Sequence, residues 1–156
     1  MWVGLWVERP GRNGQKIYLK GLVMNNLVAA TKKALTNYVN FSGRAGRPEF
    51  WWWVLAALIV TIIVRIVDGL LFAPLMGFDG FNENAWRPLS MLLGLALILP
   101  AIAVGVRRMH DIGKSGWWLL LGLVPIIGAL VVIYFYAQKG DPDSNRFGAP
   151  EPFSPE

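Results

Sequence analysis

Three apolar runs limit what this chain can fold into. The first opens at Trp51-Trp52-Trp53 and meets no charged side chain until Arg65; the second extends from Leu89 to Val106, and the third from Trp117 to Tyr136. Hydrocarbon offers no water to a free N–H or C=O, so a stretch of about 20 apolar residues crosses as a helix whose backbone bonds close within the segment. The runs predict an all-α integral membrane protein with transmembrane helices over 51–71, 89–106 and 117–136. Composition agrees: 54% of the 156 residues are hydrophobic and 16% charged, where a soluble domain carries about 25% charged residues. Pro100 is expected to kink the second run, and Ala101 with Gly105 gives a small-residue pair for close helix packing. The third run contains Gly122, Pro125 and Gly128. One kinked span is the expectation there; a re-entrant hairpin broken at Pro125 is the alternative.

The flanking segments read differently. Met1-Trp2-Val3-Gly4-Leu5-Trp6-Val7 is too short for a signal-peptide core and has no positive region before it. Arg9-Pro10-Gly11-Arg12-Asn13-Gly14 is turn chemistry without periodicity. Lys20-Gly21 must be encoded by a purine run resembling a ribosome-binding site ahead of Met24. Translation is therefore expected to start at Met24, with residues 1–23 a non-native or flexible extension. From Asn25, Leu27, Thr31, Ala34, Leu35, Tyr38 and Val39 share one helical face, and Lys32, Lys33, Thr36, Asn37 and Asn40 the other. That pattern suits an amphipathic helix in the membrane interface, or one packed on the rest of the protein. Gly43 and Gly46 allow a sharp redirection, Pro48 suits a first helical turn, and Glu49 complements the positive end of the helix dipole. Residues 72–88 form a loop, and 139–156 an irregular tail apart from a docking segment at Asn145-Arg146-Phe147-Gly148.

Charge then orients the chain. Lys32, Lys33, Arg44 and Arg47 precede the first run, and Arg107, Arg108 and Lys114 lie between the second and third, whereas the first loop has only Arg87. Positive residues collect on the cytoplasmic side, which places the N-terminus and the 107–116 connector there. A third full span would put the tail outside; a re-entrant run would return it. Within the first run, Arg65 and Asp68 are spaced to pair on one helix face, and Arg65 is also placed to snorkel to the interface.

Asn40-Phe41-Ser42-Gly43-Arg44-Ala45-Gly46-Arg47-Pro48-Glu49-Phe50-Trp51-Trp52 resembles the opening of the DUF 805 family of small bacterial inner-membrane proteins. Arg107-Arg108-Met109-His110-Asp111 with Ser115-Gly116-Trp117-Trp118 resembles its second motif, where leucine is usual at the position of Met109. Pro125-Ile126-Ile127-Gly128 and Asn145-Arg146-Phe147-Gly148 resemble the third and fourth. The resemblance covers about residues 24–150 and implies a polytopic inner-membrane protein. It brings no activity with it.

The residues themselves point away from catalysis. Gly113-Lys114-Ser115 looks like the end of a phosphate-binding P-loop, but the glycine needed five residues earlier is Arg108. His110 and Asp111 are adjacent and point in different directions on a helix, and no third group completes a pair of His110 with Ser115. With one histidine and no cysteine, neither a metal nor another cofactor is expected. The net charge of +5 suits nucleic acid or anionic lipid, and in so apolar a chain lipid is the reading. The candidate headgroup residues are Arg44, Arg47, Arg107, Arg108, His110 and Lys114, because guanidinium forks match phosphate and basic pockets between spans hold headgroups. Asp111 could hold one of these arginines in place. The expected function is a non-enzymatic membrane component binding anionic phospholipid or a partner protein, with homo-oligomerisation open. The alternative is a small transporter or channel subunit with Arg65 and Asp68 along a polar path.

Overall fold

Proline placement and apolar length set the helices. The computed structural model describes residues 9–10, 16–17, 19–79 and 86–154. Most of the 1–23 expectation falls outside these. What is described there is a short antiparallel pair, β1 (Arg9–Pro10) with β2 (Lys16–Ile17), and the start of α1 (Leu19–Thr36), ahead of the expected Asn25. Helix α2 (Arg47–Val67) has Pro48 in its first turn and runs through a π-helical turn, Asp68–Phe72, into the short α3 (Ala73–Leu75). Helix α4 (Pro88–Asp111) also starts on proline, where a missing N–H costs nothing.

The combined helix Arg47–Leu75 and α4 are long and apolar enough to cross a membrane, with 17% and 22% of their most apolar windows buried. A core helix of a soluble protein would bury most of that surface. Here Leu58, Ile62 and Ile63 of α2 and Leu92, Leu95 and Ile98 of α4 stay exposed, an apolar surface far too extensive for water.

Helix α1 packs across α2 and α4 through its small residues. Ala30 and Ala34 are fully buried against Phe50, Trp53 and Val104. Of the expected apolar face, Ala34 is fully buried whereas Leu35 and Val39 are 51% and 61% exposed. Alanines one turn apart let helix backbones approach closely, so the helix turns its alanine row inward and its bulkier aliphatics out.

Pro100 creates a debt that α1 settles. Proline has no N–H, so the carbonyl four residues back, at Ala96, loses its helical donor. The Tyr38 hydroxyl, two residues past the end of α1, donates to that carbonyl and joins this segment to the middle of α4. Tyr38→Phe should therefore destabilise the protein by about 1–3 kcal/mol, the cost of a carbonyl left without a donor in an apolar span. In a Pro100→Ala background, where the helix supplies its own donor, the same change should cost far less. Thermal unfolding of the four proteins of this double-mutant cycle checks it; equal costs in both backgrounds would refute the pairing.

The third run is not one helix. A 3₁₀ helix, Gly116–Leu123, is followed by a tight turn at Pro125-Ile126 and then α5 (Ile127–Ala137). The arms fold back on one another: Trp118 meets Phe135 edge to face at 5.6 Å. At the tip the Ile127 N–H donates to the Pro125 carbonyl at 2.7 Å, and Ile126 has φ 63°, a strained γ-turn for a β-branched residue. Gly128 makes the closure possible, since a Cβ there would lie 1.7 Å from the Leu121 carbonyl oxygen. The third run is thus folded as a hairpin and not as one kinked helix: Pro125 cannot continue the helical bonding, and Gly122 and Gly128 bracket the break. Gly105 packs against Leu119 and Tyr136 of the two arms, whereas its expected partner Ala101 is exposed.

Candidate functional site

Helix α4 ends with carbonyls that have no partner in the helix. Gly113, at φ 69°, takes the left-handed position. Its N–H donates to the His110 carbonyl and the Lys114 N–H to the Met109 carbonyl, both at 3.0 Å. These are the two bonds of a Schellman cap, which accounts for the glycine of Gly113-Lys114-Ser115. The Ala45 N–H takes the Arg107 carbonyl at 2.9 Å and the Asp141 N–H takes the Asp111 carbonyl at 2.8 Å. The turn before α2 and the tail after α5 are thereby sewn to the same helix end.

Two buried carboxylates organise the side chains around that end, each between two cations. Asp111 accepts from Arg44 Nε at 3.0 Å and from Arg108 Nη1 at 2.7 Å. Glu49 pairs with Lys33 and Arg107, both at 2.9 Å. Arg44 uses all of its donors. Nε reaches Asp111, Nη1 reaches the carbonyls of Asp143 and Gly148, and Nη2 those of Asp111 and Asp141. A guanidinium carries five N–H groups in a fixed fork, and no lysine could reproduce that set. Arg108 similarly donates to the Tyr136 and Gln138 carbonyls at the end of α5. Gly140 lies so close that a Cβ would sit 2.0 Å from Asp111 Oδ2.

His110 closes the assembly. Its Nδ1 faces the Gly43 carbonyl at 3.1 Å and its ring stacks on Phe147 at 3.8 Å. The Asn145 side chain donates to the His110 carbonyl and to Asp141, so Asn145-Arg146-Phe147-Gly148 docks on the end of α4. Burial works against the charge on Lys33, but the carboxylates of Glu151 and Glu49 outweigh it and hold its pKa above the ordinary lysine value. Any stability from a raised lysine pKa is complete below about pH 10.4 and lost as pH rises through the folded value, so this contact stays charged at neutral pH.

The expected basic face is thus divided. Arg44, Arg107 and Arg108 are 1%, 2% and 0% exposed and serve the internal network, with Asp111 holding two arginines rather than one. Arg47 is exposed and reaches the Ala137 carbonyl at 3.5 Å. Lys114 lies over the Trp118 and Phe135 rings, 5.1 and 4.8 Å from their centroids. Sequence reasoning missed Glu49 and Lys33 as network members, and every backbone acceptor in the tail. An acid close behind Arg44 and Arg47 in the chain was the available signal for Glu49; nothing local marks the carbonyls.

Arg65 and Asp68 are not brought together among the described residues. The Asp68 carboxylate is buried and accepts the N–H groups of Leu89 and Ser90, at 3.2 and 2.7 Å. It caps the first turn of α4, where free N–H groups and the positive dipole end favour a carboxylate. Arg65 points outward and is exposed. Asp68 is therefore committed to joining two helices. Among the described residues no cluster of His, Cys, Asp or Glu is arranged to hold a metal ion.

Apolar helices joined at one end by a buried ion-pair network define a small helical membrane protein. Residues 38–149 match the family described as "Protein of unknown function (DUF805)", and the chain belongs to that family. It is 42% identical over 120 residues to the inner membrane protein YhaH of Escherichia coli (strain K12), covering 77% of this chain and 93% of that one. It is also 42% identical over 114 residues to the inner membrane protein YhaI of the same organism, covering 73% and 87%. No solved structure matches the chain.

Proposed function

We propose that this chain is a two-span inner-membrane protein with a re-entrant hairpin, whose cytoplasmic end binds anionic phospholipid headgroups. Helices α2 and α4 supply the spans. Each hairpin arm is roughly 16 Å long, from eight 3₁₀ residues or eleven α residues at about 2.0 and 1.5 Å each. That is half of a hydrocarbon core about 30 Å thick, so the hairpin enters to mid-depth and returns. The tail then shares the cytoplasmic side with α1 and the 107–116 connector, which adds Lys139 and Arg146 to that side and strengthens the positive-inside assignment.

The observation that carries the lipid reading is the division of the cations. The network consumes Arg44, Arg107 and Arg108 and fixes His110, while Arg47, Lys139 and Arg146 stay exposed and Lys114 half-buried at the same end. Headgroup contact belongs to this outer set, and the buried arginines position it. Basic residues at an anionic membrane surface contribute about 1 kcal/mol each. The triple variant Arg47→Gln/Lys139→Gln/Arg146→Gln should therefore reduce the preference for phosphatidylglycerol over phosphatidylcholine more than tenfold, read as lipids retained in native mass spectra. An unchanged preference would refute the reading.

A further inference from the structure

The ion-pair network accounts for Lys33 but not for its neighbour. Lys33 is held between Glu49 and Glu151. Lys32, the next residue of α1, is exposed and forms no ion pair among the described residues. It stands where two cavities of different character adjoin. One, of about 710 Å³, is a groove between α1 and α2 walled by Leu27, Val28, Leu35, Ile59 and Val60. The other, of about 460 Å³, lies between α1 and the tail and brings in Asn25 and Ser154. Val28, Lys32 and Thr36 line both.

Depth identifies the occupant. The groove residues of α2, 56 to 60, lie roughly 14–20 Å along the helix from Arg47 at 1.5 Å per residue. That is acyl-chain depth in a core about 30 Å thick. The groove is also continuous with the lipid-facing side of α2, where Leu58, Ile62 and Ile63 are exposed. An apolar slot at that depth, joined through a cation to a more polar cavity, has the shape and charge pattern of a lipid with an anionic head. A lysine stem lying along apolar surface delivers its ammonium to the phosphate level.

We propose that the α1–α2 groove holds one acyl chain of an anionic phospholipid, with the lipid phosphate against Lys32. The proposal rests on the anionic-lipid reading above and adds a single defined site to it. The test is native mass spectrometry of the full chain in mild detergent, with phosphatidylglycerol and phosphatidylcholine of identical chains supplied. The wild type should retain one phosphatidylglycerol in preference. Lys32→Gln should weaken that retention about tenfold, the worth of one charged hydrogen bond. Val28→Trp should weaken it as much by filling the groove; Val28 is 60% exposed, so the change stays outside the core, and an unaltered melting temperature confirms folding.

Retention unchanged in both variants overturns the groove site. If the triple variant of Arg47, Lys139 and Arg146 alone loses lipid, the groove falls and the broader reading stands. If Lys32→Gln and Val28→Trp lose it while the triple variant does not, the groove stands without the outer cations. No preference in any protein overturns both. A dimer mass abolished by Val28→Trp with no lipid bound overturns the occupant in favour of a second copy.

Discussion

Asp111→Ala is expected to leave little folded protein in the membrane. The Asp111 carboxylate is the shared counter-charge of Arg44 and Arg108, with bonds of 3.0 and 2.7 Å, and both guanidiniums are essentially closed to solvent. Removing one partner of a buried ion pair costs about 3–5 kcal/mol, because the remaining charge is stranded. Here two charges are stranded at once, in a protein whose total stability is of the order of 5–15 kcal/mol. A fall in melting temperature of about 10 °C or more follows, measured on detergent-solubilised protein beside the steady-state amount in membranes. Arg44→Lys should fall in the same direction, because three donors on a flexible stem cannot serve the acceptors the guanidinium meets. Lys139→Ala, on the exposed surface, should leave both measurements near wild type. Wild-type melting of Asp111→Ala would mean the arginines are hydrated and the network does not hold this end together.

The parts of this fold that were legible in the sequence are those set by local chemistry. Apolar length marked α2 and α4, Pro48 announced its helix start, and the charge row around Arg107 and Arg108 marked the end where the chain is stitched. The division of that row was not legible. Arg44 and Arg47 look equivalent by spacing, yet Arg44 faces tail carbonyls 99 and 104 positions away while Arg47 faces outward. Backbone acceptors have no residue identity, so no pattern of side chains announces them. Arg65 and Asp68 failed for a related reason: the spacing rule sees only one helix, and the stronger partner for Asp68 was the bare N-terminus of another. The apolar face expected from Leu27 to Val39 was legible in part: Ala34 lies on it and is buried while Leu35 and Val39 are exposed, because close approach is decided by what is small, here Ala30 and Ala34, and not by what is most apolar. The third run was ambiguous in sequence, since its length satisfies a span and only its proline and glycines argue for a hairpin.

A second large effect, at Gly128, puts that ambiguity to the test. Gly128→Ala puts a methyl group 1.7 Å from the Leu121 carbonyl oxygen, 2.8 Å from its carbon and 2.9 Å from Val124 Cβ. The nearest obstacles are backbone, so no rotamer change relieves them and the arms must separate, at a cost of about 3 kcal/mol or more. Opening the hairpin withdraws the Tyr136 and Gln138 carbonyls from Arg108, so the damage reaches the ion-pair network and should appear as a lowered melting temperature. The chain has no cysteine, which makes single-cysteine labelling with an impermeant maleimide clean. A closed hairpin returns the tail to the side of α1, so Ser154→Cys and Lys32→Cys should label from one face of the membrane and Asp79→Cys from the other. A straight third span would put Ser154→Cys with Asp79→Cys. It would also leave Gly128→Ala nearly silent, since in an unbroken helix the added methyl would point along an open face instead of into a carbonyl on the opposing arm.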